Sequence, residues 1–285
     1  MRTYTAAALG LLLASTSVQA QGTQDPNEPR PIAAADTVFI DEMTSMEVRD
    51  AIRAGKTTVI VGTGGVEQNG PYTATGKHNF VLRVTTDAIA RKLGNALVTP
   101  IVAFVPEGQH EPPTGHMQFP GTISLTEETY RALLRDICTS LKVHGFTDIV
   151  LIGDSGGNQN GMKAVAAELN TKWSASKARV HFIPEYYSQD MWSFEYLKSL
   201  GIMQVPDVRS ASRAGVHDDY HYEALVALAD PAHIRSEQRI KAGRFSINGV
   251  NLESVSVVVA NGRRLADYRA ALTVAAIQKV LASAR

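Results

Sequence analysis

Residues 148–162 read DIVLIGDSGGNQNGM and join a run of apolar residues to a glycine-rich turn and the start of a helical pattern. The run Asp148–Gly153 is short and rich in β-branched residues, so it predicts a strand buried on both faces. A buried strand that leads directly into a helix is typical of a parallel sheet covered by helices. This stretch therefore predicts an α/β protein.

The same alternation continues over residues 36–285, where no linker interrupts it. Strands are predicted at residues 57–62, 96–105, 148–153 and 179–184, with a further β-rich stretch at 255–259. Helices are predicted at residues 80–93, 126–145, 161–173, 192–200 and 220–229, and a last helix ends at residue 284. We therefore expect residues 36–285 to form one domain with a mostly parallel sheet.

The first twenty residues have the composition of an export signal. Arg2 precedes the apolar run 6–14, and the small residues Val18 and Ala20 follow it, which is the three-part pattern of a secretory signal peptide. A membrane-spanning helix needs roughly 20 apolar residues, about twice this run. We expect residues 1–20 to be removed, residues 21–35 to form an extended arm, and the mature protein to reach the periplasm or the medium.

Charge and cysteine content exclude several classes of protein. The 28 basic and 28 acidic residues give a formal net charge of zero, so no excess of positive charge is available to hold nucleic acid. Cys138 is the only cysteine, which excludes an intrachain disulfide and a thiolate metal cluster. We expect Cys138 to be buried, and we expect a small-molecule substrate rather than nucleic acid or a membrane.

Carboxylates follow three of the predicted strands. Glu67 comes shortly after the first strand, Asp154 directly after the third and Glu185 directly after the fourth. Ligands of open α/β sheets bind beyond the carboxyl ends of the strands. These positions predict a polar site that accepts a metal ion or a substrate, although loop carboxylates are often only solvated.

A second cluster of titratable residues lies in GVHDDYHYE, residues 215–223. His217 and His221 are four residues apart, so a helix that includes both places them on one face, as a two-histidine metal site requires. Asp218 between them is a candidate general base. The alternative is a solvated helix N-terminus whose acidic residues complement the helix dipole.

The glycine turn after the third strand offers a different chemistry. GDSGG fits the G-x-S-x-G pattern between a strand and a helix, which makes Ser155 a candidate nucleophile. His217 or His221 would then act as its base. The alternative is a turn whose glycines let a backbone or a ligand approach closely.

Several motifs occur in a fixed order: EQNGP at 67–71, Gly76, FPGTIS at 119–124, HGF at 144–146 and GGN at 156–158. Together they resemble the creatininase family of metal-dependent amidohydrolases. Their order and spacing agree with the family over residues 57–240. The resemblance implies a three-layer α/β/α fold, a homo-oligomer that is often a hexamer, and two divalent metals that activate water to open a cyclic amide or a related C–N bond.

The ligands implied by the resemblance are only partly present. Glu67 matches the first family ligand, but the histidine two residues later is Asn69, the following aspartate falls on His78, and the histidine of the glycine loop falls on Ser155. His217 matches a later histidine, whose companion glutamate falls on Tyr222 beside Glu223. His116 lies where many members have a histidine.

The replaced positions are still polar, which favours a retained metal site. Asn69 and Ser155 are poor metal ligands, so we predict one metal ion rather than two. Its predicted ligands are Glu67, His78, Asp154, His217 and His221. Oxygen and nitrogen ligands of this kind suit zinc first, with manganese or iron as alternatives.

Catalytic and substrate-binding roles complete the predicted site. We expect Asp218, Glu223 or Glu185 to accept the proton of the metal-bound water and His116 to polarise the carbonyl or hold the oxyanion. The predicted substrate-binding residues are Asn69, Glu185, Tyr186, Trp192 and Tyr222.

The sequence thus predicts an exported metal-dependent hydrolase that opens an amide, lactam or related C–N bond of a small polar substrate. Two other functions stay open. One is a metal-independent serine hydrolase that uses Ser155, and the other is a non-catalytic protein that binds a small ligand.

Overall fold

The computed structural model describes residues 25, 27–188, 190–205 and 219–283. The chain divides into two units, residues 1–33 and residues 34–285. In the described part of the first unit, the backbone N–H of Asn27 donates to the carboxylate of Asp25 at 2.8 Å. All helices and strands named below belong to the second unit.

Helices and strands alternate along the first half of the second unit. In chain order they are α1 (Ser45–Arg53), β1 (Thr58–Thr63), α2 (Lys77–Leu93), β2 (Ala96–Val98), α3 (Glu127–Val143), β3 (Asp148–Gly153), α4 (Gln159–Lys172) and β4 (Arg179–Phe182). Helices dominate the rest: α5 (Asp190–Ser199), α6 (Tyr220–Ala229), α7 (Ser236–Lys241), the short strands β5 (Ser246–Ile247) and β6 (Val250–Asn251), and α8 (Val255–Ser283).

The described strands β1 to β4 form one sheet in the order β2-β1-β3-β4. Every pairing in this sheet is parallel, and β1 and β3 pair over their whole length, from Thr58 opposite Asp148 to Thr63 opposite Gly153. The carboxyl ends of the two central strands are therefore side by side. This register brings the loops after β1 and β3 together.

Helices cover both faces of the sheet. On one face, Val59 and Ile149 pack with apolar residues of α3 and α4. On the other, Ile60 and Val150 pack with apolar residues of α2 and α8. This arrangement confirms the predicted three-layer α/β/α fold, and Cys138 of α3 is fully buried, as expected.

One predicted strand is too long, and another predicted β-rich stretch is helical. The second strand is only Ala96–Val98, because Pro100 lacks the N–H that a continuing ladder needs. Between Pro100 and Pro106 the described chain forms only isolated bridges, at Val102 and Val105. The valine-rich stretch 255–259 is the first turn of α8, where the burial of Val258 against the core outweighs β-propensity.

Among the described residues, no helix combines the length and apolar character required to cross a membrane. Residues 1–24, which hold the predicted signal peptide, are outside the described residues.

Candidate active site

A cavity of about 560 Å³ lies at the carboxyl ends of β1 and β3. Its lining combines buried charged groups with aromatic rings. The charged or titratable lining residues are Glu67, Lys77, His78, Glu107, His116, Asp154, Asp219 and His221, and the aromatic ones are Tyr187, Phe194 and Tyr222.

The centre of the site is a buried imidazole between two carboxylates. His78 Nε2 lies 2.8 Å from Glu67 Oε1, and His78 Nδ1 lies 2.7 Å from Asp154 Oδ2. Burial and the charge of Lys77 lower the pKa of His78, but the hydrogen bonds to Asp154 and Glu67 outweigh them, so its pKa is raised. A protonated ring donates to both carboxylates at once.

Local backbone geometry explains why these side chains meet. Glu67 and Asp154 follow β1 and β3, and His78 lies in the first turn of α2. The side chain of Asn158 donates to the carbonyls of Thr63 and Gly64, at 2.8 and 2.9 Å, and so ties the turn after β3 to the loop after β1. The strand-end carboxylates are therefore held on either side of the imidazole.

Two further cations balance the carboxylates. Lys77 Nζ lies 3.7 Å from Glu67 Oε1 and 4.8 Å from the centre of the Tyr222 ring. Arg269 of α8 places Nη1 2.9 Å from Asp154 Oδ1. All four charged side chains of these contacts are at most 4% exposed, so each depends on its partners for charge compensation.

Glu67 also contacts a second histidine. His116 Nε2 lies 3.1 Å from Glu67 Oε2, and the His116 side chain is 19% exposed. Burial lowers the pKa of His116, the charges of Lys77 and His78 add to this, and Glu67 only partly opposes them. His116 is therefore a neutral imidazole at pH 7, oriented by a carboxylate.

Glu107 forms a carboxyl pair with Glu67. Burial raises the pKa of Glu107 to about 9, and the charge of Glu67 and a hydrogen bond to Glu67 add to the effect. Burial also acts to raise the pKa of Glu67, but hydrogen bonding and charge from His78, with Lys77 and His116, hold it below its ordinary value. At neutral pH Glu67 is thus ionised while Glu107 carries a proton.

The donors in the described part of the chain do not fit a divalent metal. No three of its His, Cys, Asp and Glu side chains converge on a point that could hold an ion. Both nitrogens of His78 are engaged with carboxylates, and Asn69 donates its side-chain amide to the carbonyls of Glu67 and Ala74. The predicted ligand set therefore does not assemble among the described residues.

The structure separates the predicted site residues into three groups. Those that line the cavity are Glu67, His78, His116, Asp154, Ser155, His221 and Tyr222. Those that do not are Asn69, Glu185, Tyr186 and Glu223. His217, Asp218 and the side chain of Trp192 are outside the described residues.

Glu223 and Tyr186 have structural partners instead of the predicted roles. Glu223 is fully buried and accepts from Arg239 Nη1 at 2.6 Å and from Thr73 Oγ1 at 2.8 Å. The hydroxyl of the fully buried Tyr186 bonds with Thr85 Oγ1 at 2.8 Å. An acid held by Arg239 is not placed to accept a proton in the cavity.

Ser155 does not have the backbone of a nucleophile elbow. Its φ of −121° and ψ of 150° are ordinary extended angles, and its hydroxyl makes no hydrogen bond to a base in the described chain. The glycines serve close packing instead: a Cβ on Gly157 would lie 2.2 Å from the carbonyl oxygen of Pro106. This contact keeps the loop that carries Glu107 beside the turn after β3.

His221 lies in the first turn of α6 and is 4% exposed. Within the described residues neither of its nitrogens has a hydrogen-bond partner, and burial, with the charges of Arg269 and Lys77, lowers its pKa to about 3. It is a neutral imidazole at the cavity wall.

Sequence reasoning missed Lys77, Glu107 and Arg269. Glu107 follows Val105 and Pro106 at the end of the predicted second strand, so the strand-end rule applied to Glu67 also points to it. Arg269 comes from α8 and has no local sequence signal. Lys77 precedes His78 at the start of a helix, a position that is usually solvated.

Comparisons with known proteins agree on one family. A family profile described as creatinine amidohydrolase, creatininase, matches residues 41–255. Creatinine amidohydrolase of Pseudomonas putida is 29% identical over 126 residues, which is 44% of this chain and 47% of that protein. The 3-dehydro-scyllo-inosose hydrolase of Thermotoga maritima is 25% identical over 119 residues, 42% of this chain and 36% of that protein. The matched stretches thus span about half and about a third of these relatives.

Solved structures share the fold. A Type II mutant creatininase is 19% identical with a TM-score of 0.61, covering 86% of this chain and 98% of the other. A creatinine amidohydrolase structure is 20% identical with a TM-score of 0.58, covering 87% and 98%. The similar creatininase structures include a form described as Zn-Zn and one described as Mn.

Proposed function

The chain belongs to the creatininase family, and from this premise we propose that it hydrolyses an amide, lactam or related C–N bond of a small polar substrate, with a cyclic amide as the first choice. The observation that carries the proposal is the pairing of a neutral imidazole, His116, with a protonated carboxyl, Glu107, in one cavity. Two groups whose pKa values are shifted in opposite directions are the usual basis of acid–base catalysis.

His116 is the proposed base. Its Nε2 lies 3.1 Å from Glu67 Oε2, so the carboxylate orients the ring and compensates the positive charge that the ring gains as a base. A neutral histidine held by a carboxylate takes the proton of an attacking water as the water oxygen bonds to the carbonyl carbon.

Glu107 is the proposed acid. When the C–N bond breaks, the electron pair goes to nitrogen, and Glu107 supplies the proton that makes the amine leave. His116 then holds one extra proton and Glu107 lacks one. Glu67 contacts both groups. Its charge stabilises protonated His116 and repels ionised Glu107, which favours return of the proton from His116 to Glu107.

The cavity favours a small polar substrate. A volume of about 560 Å³ accommodates a ring of a few atoms with its substituents. The rings of Tyr187, Phe194 and Tyr222 supply flat apolar contacts around the charged centre.

The metal-bound water implied by the family resemblance is not a step of this proposal, because the described donors do not fit a metal ion. Zinc, the metal favoured by the sequence, and manganese, the alternative that solved creatininases also contain, are therefore tested below rather than assumed.

The test is a panel of cyclic and linear amides of small polar compounds, assayed with wild type, His116→Ala and Glu67→Gln. Glu168→Gln on the exposed face of α4 is the matched control. We expect His116→Ala to lower kcat by about 10² to 10⁴-fold, Glu67→Gln to lower it as well, and the control to match wild type.

Two results would replace the proposal with one of its rivals. Loss of activity in Ser155→Ala with full activity in His116→Ala would indicate a serine hydrolase. Tight binding of a panel compound without turnover would indicate a binding protein.

Export and assembly are proposals of the same kind. We expect the secreted protein to begin at Gln21, as measured by intact mass of material from the periplasm or medium. We also expect a homo-oligomer, with a hexamer implied by the family, as measured by light scattering.

A further inference from the structure

We propose that the ammonium group of Lys77 takes the place of a divalent metal in this site and stabilises the oxyanion that forms during hydrolysis. This inference rests on the proposed function for the reaction but not for the absence of metal. The Lys77 side chain lies at the cavity wall, 1% exposed, with Nζ 3.7 Å from Glu67 Oε1.

Among the described residues, cations already face the carboxylates around Lys77. The carboxylates that act on Lys77 are those of Glu67, Asp154 and Asp219, with the protonated Glu107 beside them. In the described part of the chain, the basic side chains opposite them are Lys77, His78 and Arg269. A divalent ion would add two positive charges beside these basic groups, at a high electrostatic cost.

Carboxylates and an aromatic ring surround the amino group of Lys77. Burial lowers its pKa, but Glu67 and Asp154 oppose that fall. The face of the Tyr222 ring, 4.8 Å from Nζ, adds a cation–π contact. Lys77 also lies in the first turn of the 17-residue helix α2, which fixes the base of the side chain.

The same contacts remove the ligands that a metal would use. Nε2 of His78 contacts Glu67 and Nδ1 contacts Asp154. Arg269 contacts the second oxygen of Asp154 at 2.9 Å. A metal ion would have to displace these partners one by one. Lys77 already contacts Glu67 Oε1, at 3.7 Å, with these partners in place.

The chemistry assigned to Lys77 follows from where charge develops. As water adds to the carbonyl carbon, its proton goes to His116 and the carbonyl oxygen becomes an oxyanion. A fixed cation at this oxygen stabilises the transition state more than the neutral substrate. The oxyanion then collapses as the C–N bond breaks and Glu107 protonates the nitrogen.

Kinetics and metal analysis test the proposal together. The variants are Lys77→Met, Lys77→Arg and the control Lys92→Met, which removes an exposed lysine at the other end of the same helix. We expect Lys77→Met to lower kcat by about 10² to 10³-fold with a smaller change in KM, Lys77→Arg to retain part of kcat, and Lys92→Met to match wild type. Circular dichroism and Tm show whether each variant is folded.

The metal arm uses the wild-type protein after incubation with Zn²⁺ or Mn²⁺ and gel filtration. We expect substoichiometric metal, no rise in Tm with either ion, and full turnover in the presence of a chelator. If Lys77→Met does not fold, Lys77→Arg and this arm decide.

Each contrary result is distinct. One equivalent of bound metal that is lost in Glu67→Gln would overturn the proposal even if the amide panel shows turnover. Full kcat in folded Lys77→Met would overturn the role at the oxyanion. If the panel shows no turnover, the proposed function fails, while the metal arm still decides whether lysine replaces metal.

Discussion

Strand β3 has a histidine–aspartate pair at each of its ends. The two pairs differ in the exposure and the surroundings of the aspartate. At the amino end, His181 Nε2 lies 2.9 Å from Asp148 Oδ1. At the carboxyl end, His78 Nδ1 lies 2.7 Å from Asp154 Oδ2. The first Asp side chain is 24% exposed, whereas the second is completely buried.

The surroundings decide what each pair does. The side chain of Asp148 also accepts from Thr147 Oγ1, and water reaches it. Asp154 instead pairs with Arg269, and its histidine reaches a second carboxylate, Glu67. The pair at the amino end, whose aspartate is partly exposed, is a local contact, while the buried pair is one link of a network in which every charge depends on another.

Removing the charge at the buried end is expected to have the largest effect. Asp154→Asn leaves Arg269 and protonated His78 buried without their common carboxylate, so unfolding free energy should fall by about 3–5 kcal/mol. Urea denaturation at pH 7 measures this. A loss below about 1 kcal/mol would mean that the network is not coupled.

A second carboxyl, that of Glu107, belongs to the network at the carboxyl end of β3. The folded protein holds a proton on Glu107 up to a pKa of about 9, whereas the unfolded chain releases it near 4.5. Because the unfolded state binds fewer protons over that range, stability from this group falls as pH rises from about 4.5 to about 9. Glu107→Gln should therefore gain Tm over wild type as pH rises.

The control for that experiment is Glu111→Gln, which changes an exposed residue of the same loop. Its Tm should follow wild type at every pH. If Tm depends on pH in the same way for wild type and Glu107→Gln, Glu107 is not a buried acid.

The rate of hydrolysis should report the same groups. His116 must be neutral and Glu107 protonated, so kcat/KM should rise through the pKa of His116, below its ordinary 6.5, and fall near pH 9. Measurement from pH 5 to 10 checks both limbs. A profile that keeps rising above pH 9 would contradict the role of Glu107.

The partly exposed pair, Asp148 with His181, should be the least sensitive. Asp148→Asn removes the charge that faces His181 but keeps the shape, and we expect a loss of about 1 kcal/mol or less with unchanged turnover. The same urea denaturation provides the comparison with Asp154→Asn. Equal losses of unfolding free energy in Asp148→Asn and Asp154→Asn would show that the two pairs contribute equally to stability.

Much of this fold follows from local patterns. The runs that form β1, β3 and β4 are apolar, short and followed by turns, and their strand ends identify Glu67 and Asp154 correctly as neighbours. One error has a local cause and the other a tertiary cause. Pro100 shortens β2, and burial against the core makes residues 255–259 helical.

The site itself was only half predictable. A sequence shows that polar residues follow strands, but it does not show which of them share protons. The pKa of Glu107 is raised by burial and then by Glu67, 40 residues earlier, and Arg269 reaches Asp154 from 115 residues away. Such pairings depend on the register of the sheet and the docking of helices.

The position of Arg269 in α8 has a consequence for biosynthesis. Its guanidinium is the cation that compensates Asp154, yet it is made long after the strands that hold the rest of the network. A nascent chain that has emerged only as far as β4 therefore contains Asp154 without this partner. The centre matures only when the last described helix docks, so N-terminal fragments of the protein should be unable to assemble it.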